Sequence, residues 1–208
     1  MRTFLLGLSL CLILISAWMA LTIGAVEPAQ RNIIYIHVPA SICSLVCFTV
    51  LFVCSIQYLR TRALRWDYVA AACGEVGLVF ATVLNATGMI FARAEWGVWW
   101  TPSPRLISSA ILWFLYIAYF ILRASFSTEK RKERICAVFG IIAFIDVPLV
   151  FVSARFIGDI HQPSFSFETF GQTSALGLSV CGTLLLAAML VWIRNDILKI
   201  KTEMNEKI

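Results

Sequence analysis

Charged residues divide the chain into six long apolar stretches, and this spacing constrains the fold more than any other feature. Each stretch is close to the ~17–25 residues that a helix needs to cross a ~30 Å hydrocarbon core. The stretches are apolar on all sides and do not alternate with polar residues, which favours helices over a β-barrel. They lie between Arg2 and Glu27, Arg31 and Arg60, Asp67 and Arg93, Arg105 and Arg123, Arg134 and Arg155, and Glu168 and Arg194.

The composition supports the same fold class. Apolar residues make up 60% of the 208 residues and charged residues 14%, with a mean hydropathy of +0.85, against about 45–50% and about 25% in soluble domains. We therefore predict an all-α polytopic membrane protein with six transmembrane helices, forming a single integral membrane domain over 1–208. Such a protein has membrane lipid as a partner over most of its surface. The composition excludes a disordered chain, a disulfide-rich secreted scaffold and a nucleic-acid binder. The sequence contains no Walker-type phosphate loop, so we do not expect this chain to be an ATPase.

The basic residues predict the orientation. Thirteen of the seventeen Lys and Arg residues fall on the side that holds the two termini, and the positive-inside rule places that side in the cytoplasm. Both termini are then cytoplasmic. The first stretch is longer than the ~7–15-residue apolar core of a usual signal peptide, so we expect a retained helix; cleavage of a signal peptide is the alternative.

Both histidines map to the outer side of the membrane. His37 lies near the start of the second stretch, where Pro39 is expected in the first helical turn, which does not need the missing N–H. His161 lies in the outer loop predicted over 157–173. The pair has the residue type for a metal site, although interfacial histidines are also common without one.

The outer loop predicted over 92–105 concentrates aromatic residues, since Trp96, Trp99 and Trp100 fall within five positions around Gly97. Such a surface suits a flat, apolar, anionic ligand, with indole faces against its plane and arginines on its carboxylates. Haem has these properties. Its iron would take His37 and His161, and the arginines available for its propionates are Arg31, Arg93, Arg105 and Arg155. The alternative is a transporter or permease subunit whose aromatic loop is only an interfacial anchor.

Several motifs resemble one known family. Trp96-Gly97-Val98-Trp99-Trp100 followed by Arg105-Leu106 is similar to the tryptophan-rich WWD motif of the haem-handling proteins of cytochrome c maturation. The resemblance continues in Tyr35–Ala40, Leu112–Tyr116 and His161-Gln162, in the same order along the chain. Within that superfamily, the length and the six stretches resemble the haem exporter protein C (CcmC) type. Two histidines can serve one haem at most, whereas the larger CcsA and CcmF types carry a second histidine pair.

The resemblance implies a function and a set of partners. It implies a protein of the bacterial cytoplasmic (inner) membrane that is not an enzyme and that binds b-type haem non-covalently at the outer face. His37 and His161 would be axial ligands, and Trp96, Gly97, Trp99, Trp100 and Arg105 would form the platform. It also implies delivery of haem to a periplasmic haem chaperone (CcmE-like), beside ABC transporter subunits (CcmA- and CcmB-like) and a small membrane subunit (CcmD-like).

One part of the motif departs from the family. The family usually has Trp-Asp before its final residues, where this chain has Pro102 and Ser103. Ser103-Pro104 nevertheless predicts the N-cap and first residue of the fourth helix. Asn85-Ala86-Thr87 matches a glycosylation pattern, but it lies inside the third stretch and is assigned to a helix.

Two acidic residues, Glu75 and Asp146, lie inside apolar stretches, and we expect each to be protonated or bonded to a neighbouring helix. Pro148 predicts a kink beside Asp146. Because all seven cysteines lie in or at the inner edge of the stretches, a membrane thiol oxidoreductase is disfavoured.

Overall fold

The protein is all-helical over the residues that the structure, a computed structural model, describes: 1–23, 25, 29–126, 129–156 and 169–205. No strand occurs among these residues, and five helical segments are long and apolar enough to cross a membrane. The all-α polytopic fold is therefore confirmed. The helices are α1 (Arg2–Leu21), α2 (Ile34–Thr61, after a 3₁₀ helix over Ala29–Ile33), α3 (Leu64–Trp96), α4 (Pro104–Ser125), α5 (Glu129–Ala143), α6 (Asp146–Phe156) and α7 (Phe170–Asn205).

The fifth apolar stretch is divided between α5 and α6, which confirms the predicted kink. Pro148 has no N–H to continue the helical ladder, and the Phe144 carbonyl accepts instead from Val147 N at 3.0 Å. The pair still reaches both ends of the bundle. Tyr58 Oη lies 3.5 Å from Glu133 at one end, and Ser108 Oγ lies 3.2 Å from Ser153 Oγ at the other.

The first and last helices run antiparallel, so the beginning of α1 and the end of α7 lie at the same end of the bundle. Arg2 pairs with Asp196 there. Further along the same pair of helices, Ser16 Oγ donates to the Ala175 carbonyl at 2.7 Å. This arrangement fits an even number of crossings; that this end is cytoplasmic remains a prediction from the charges.

The centre of the bundle is built on α2, whose Phe48 and Leu51 are completely buried. A Cβ at Gly77 of α3 would lie 2.7 Å from the Phe48 ring, and one at Gly140 of α5 would lie 2.6 Å from Leu51. Glycine is therefore needed for the close approach of these helices, as is usual in membrane bundles. The Phe48 ring also stacks on Tyr116 of α4, with centroids 3.5 Å apart.

Glu75, one of the two intramembrane acids, pairs with a neighbouring helix as expected. Arg194 Nη2 of α7 donates to Glu75 Oε1 at 2.8 Å, and Nε bonds to the other carboxylate oxygen. Asp146 is buried at the start of α6, and its Oδ2 has no hydrogen-bond partner within the described part of the chain. Glu75 therefore links α3 to α7, whereas Asp146 forms no such link through Oδ2 within the described residues.

The position of Pro39 differs from the sequence prediction. The sequence predicts it in the first turn of α2, but it lies more than one turn inside the helix. A proline there deprives the Tyr35 carbonyl of its usual N–H donor. Ser179 of α7 replaces that donor, since its Oγ donates to Tyr35 O at 2.5 Å. The proline is tolerated because a neighbouring helix satisfies the carbonyl.

We predict that Ser179→Ala destabilises the solubilised protein by about 1 kcal/mol, within the usual range for interhelical hydrogen bonds. In a Pro39→Ala background the same change should cost less, because the backbone N–H that this substitution restores then bonds to Tyr35 O. Unfolding midpoints in detergent measure both, with Ser125→Ala, whose exposed hydroxyl bonds only within α4, as the control. Equal losses in the two backgrounds would contradict the explanation.

Candidate functional site

A cavity of about 760 Å³ opens at the end of the bundle opposite Arg2 and Asp196. Its volume falls within the ~300–1,000 Å³ of small-molecule and cofactor sites. We call it the His37 cavity, and its walls come from the first half of α2, the second half of α3, the first half of α4 and α6. Its lining includes His37, Ser41, Leu45, Thr82, Asn85, Gly88, Phe91, Glu95, Trp96, Trp100, Arg105, Ser109, Leu112, Trp113, Val147 and Val150.

His37 stands on the first part of α2, where the 3₁₀ helix before Ile34 continues into the α-helix. It is partly buried, and its Nδ1 lies 2.9 Å from the Thr87 hydroxyl of α3. The second predicted ligand, His161, lies outside the described residues, as does 157–168 of its loop.

The tryptophan segment is shorter than expected, because α3 continues to Trp96 and α4 begins at Pro104. Gly97 ends α3 in the left-handed conformation, with φ of 75°, and its N–H bonds to Arg93 O at 3.2 Å. Glycine is the residue that adopts this conformation without strain. The turn places Trp96 and Trp100 in the cavity wall, while Trp99 is 57% exposed and does not line it.

The N-cap predicted for the fourth helix is confirmed. Ser103 is extended, its Oγ accepts from Leu106 N at 3.4 Å, and Pro104 is the first helical residue. This start places Arg105 in the first turn of α4, in the cavity lining. Although Pro102 and Ser103 depart from the family motif, the segment starts a helix at Pro104 and places Arg105 in its first turn.

Two of the four candidate arginines lie at the mouth of the cavity. Arg31 lines it and its Nη2 bonds to Glu95 Oε1 at 3.0 Å, and Arg105 lines it from α4. Arg93 instead bonds to the carbonyl of Gly97 and is absent from the lining. The Arg155 side chain is outside the described part of the chain.

Sequence reasoning missed the polar groups deeper in the cavity. Ser109 Oγ donates to Asn85 Oδ1 at 3.2 Å, and Trp113 Nε1 donates to Thr82 Oγ1 at 2.9 Å. Thr87, which contacts His37, was also missed. Asn85-Ala86-Thr87 matches a glycosylation pattern, which we discount because it lies within a helix and which does not point to the cavity. Each of these pairs joins two different helices, so the spacing of residues along the chain does not indicate the contacts.

Comparisons with known proteins identify relatives of this chain. The chain is 29% identical to "Heme exporter protein C" of Escherichia coli K12 over 166 residues, covering 78% of this chain and 68% of the relative. It is 27% identical to the protein of the same name from Bradyrhizobium diazoefficiens, covering 83% and 69%. For the Rhodobacter capsulatus protein of that name the identity is 25%, covering 81% and 74%.

A family model gives the same result over a longer range. The model described as "CcmC: Heme exporter protein C" matches residues 1–208. The chain therefore belongs to the heme exporter protein C (CcmC) family.

Proposed function

We propose that this protein holds haem as cargo in the His37 cavity, at the outer face of the bacterial inner membrane, and delivers it to a periplasmic haem chaperone. The observation that carries the proposal is the meeting of His37, Trp96, Trp100 and Arg105 in one cavity. Family membership supports a role in haem handling for cytochrome c biogenesis.

The residues present fit the chemistry of haem. The cavity is large enough for a flat macrocycle, and its walls include apolar and aromatic side chains such as Leu45, Phe91 and Trp113. Imidazole is a usual axial ligand of haem iron, which His37 supplies. The guanidinium groups of Arg31 and Arg105 lie at the mouth, where they can bind the propionates through charge-assisted hydrogen bonds.

The proposal gives the second axial position to His161 and the outer contact surface to the tryptophan segment. Val98 and Trp99 are exposed next to Trp100, which lines the cavity, so they offer a contact surface to a chaperone. We further propose that the protein works beside ABC transporter subunits (CcmA- and CcmB-like) and a small membrane subunit (CcmD-like). Its role is binding and handover, without turnover of a substrate.

The direct test is a titration of the purified protein with haem. We expect the wild type to give a low-spin Soret spectrum, and His37→Ala to weaken affinity by more than about tenfold, since even removing a second-shell partner costs about 10–100-fold. His161→Ala should behave similarly. Unchanged spectra in both variants would contradict haem ligation and favour a permease subunit whose aromatic loop only anchors it.

The arginines can be tested with a matched ligand. Arg105→Gln should weaken haem binding by about tenfold, the value of a hydrogen bond between charged groups, and should weaken haem dimethyl ester much less, because the ester lacks the carboxylates. Arg93→Gln, which removes an arginine outside the cavity, should have a smaller effect on either ligand. Equal losses for haem and its ester would show that Arg105 does not bind propionates.

The two neighbouring tryptophans should differ. Trp100 lines the cavity and Trp99 does not, so Trp100→Ala should weaken haem affinity by about three- to tenfold, the value of an aromatic contact. Trp99→Ala should weaken it less and should instead slow transfer to a periplasmic haem chaperone. Stopped-flow transfer measurements with the two purified proteins check this, and the reverse ranking of the variants would contradict the placement of the indoles.

A further inference from the structure

The His37 ring is held by α3 as well as by its own helix. Its Nδ1 lies 2.9 Å from Thr87 Oγ1, and a Cβ added at Gly88 would lie 3.3 Å from His37 Cε1. Consecutive residues of α3 thus provide a polar contact and the space that the ring occupies. Thr87 itself is absent from the cavity lining, so it acts on His37 from outside the cavity.

The hydrogen bonds of Thr87 to its own helix favour one direction of donation. Its Oγ1 lies 2.7 Å from Val83 O and 3.1 Å from Leu84 O. A threonine hydroxyl has one hydrogen and two lone pairs, and the carbonyls, which only accept, take that hydrogen. With that hydrogen on a carbonyl, the hydroxyl accepts toward His37, and we infer that His37 Nδ1 carries the proton and donates to Thr87.

This tautomer suits a metal ligand. In a neutral imidazole with its proton on Nδ1, the lone pair is on Nε2, which is a nitrogen that binds iron. Ligating histidines almost always donate their other N–H to an acceptor, which orients the ring and raises its basicity. From this geometry we propose that Thr87 is a positioning residue for His37, setting its tautomer and ring orientation for haem, with Gly88 providing room for the ring.

The inference rests on the proposed function for its purpose but can be tested without haem. The chain has only two histidines, so ¹⁵N-histidine labelling of the apo-protein in nanodiscs at alkaline pH gives two resolvable rings, and His37→Ala assigns them. The wild type should show His37 with its proton on Nδ1. Thr87→Val, which keeps the shape and removes the hydroxyl, should shift His37 toward the Nε2–H form, and Thr87→Ser should retain the wild-type signal.

Haem binding gives the second readout. Thr87→Val should lower haem affinity by about 10–100-fold and shift the haem midpoint potential upward, because the ligand becomes less basic, while Thr87→Ser should restore both. The matched control is Thr49→Val on α2, which also loses a hydroxyl bonded to its own helix, at 2.8 Å from Leu45 O, without contact to His37. We expect no change in the His37 tautomer from this control.

The outcomes separate the two proposals. If Thr87→Val leaves both the His37 tautomer and the haem affinity as in the wild type, the positioning role is overturned even when His37→Ala abolishes binding. If His37→Ala and His161→Ala both leave haem binding intact, the proposed function is overturned, whatever the tautomer. A loss in Thr87→Val that Thr87→Ser does not restore would also contradict the role, since it would report packing and not the hydroxyl.

Discussion

Every backbone polar group within the membrane needs a partner inside the protein, and the rest of the structure depends on this constraint. It selects helices for all the apolar stretches, and it determines which helices touch. Ser16 and Ser179 donate to carbonyls of neighbouring helices, and Glu75 is paired with Arg194. Lipid provides no hydrophobic force between helices, so these bonds and the close contacts at glycine hold the bundle together.

The same constraint explains the two prolines that lie inside helical stretches. At Pro148 the helix breaks into α5 and α6, and the local 3.0 Å bond from Val147 N uses the Phe144 carbonyl. At Pro39 the helix continues, because a serine on another helix serves the carbonyl that the proline leaves. At both prolines the carbonyl that loses its helical donor is bonded by another group, local in one case and from a neighbouring helix in the other.

The contrast between Pro148 and Pro39 also shows which structural features could be predicted from the sequence. Helix positions, the break beside Asp146 and the cap at Ser103 depend on neighbours along the chain, and their prediction is confirmed. The place of Pro39 and the role of Thr87 depend on contacts that the fold creates between residues 144 and 50 positions apart, and no local pattern contains that information. Of the predicted site, the structure brings His37, Trp96, Trp100 and Arg105 together, places Trp99 outside the cavity and does not describe His161.

The ion pair between Arg31 and Glu95 at the mouth of the cavity bears on how tightly an anion can be held. A carboxylate arriving there meets an arginine that already has a carboxylate partner at 3.0 Å, so the new attraction is offset by the bond that it displaces. In the proposed function, a propionate that binds Arg31 competes with Glu95, and Glu95 remains beside Arg31 as its partner when no propionate is bound. The pair therefore balances the arginine charge in the free protein and reduces the net gain in binding energy from a carboxylate at this position.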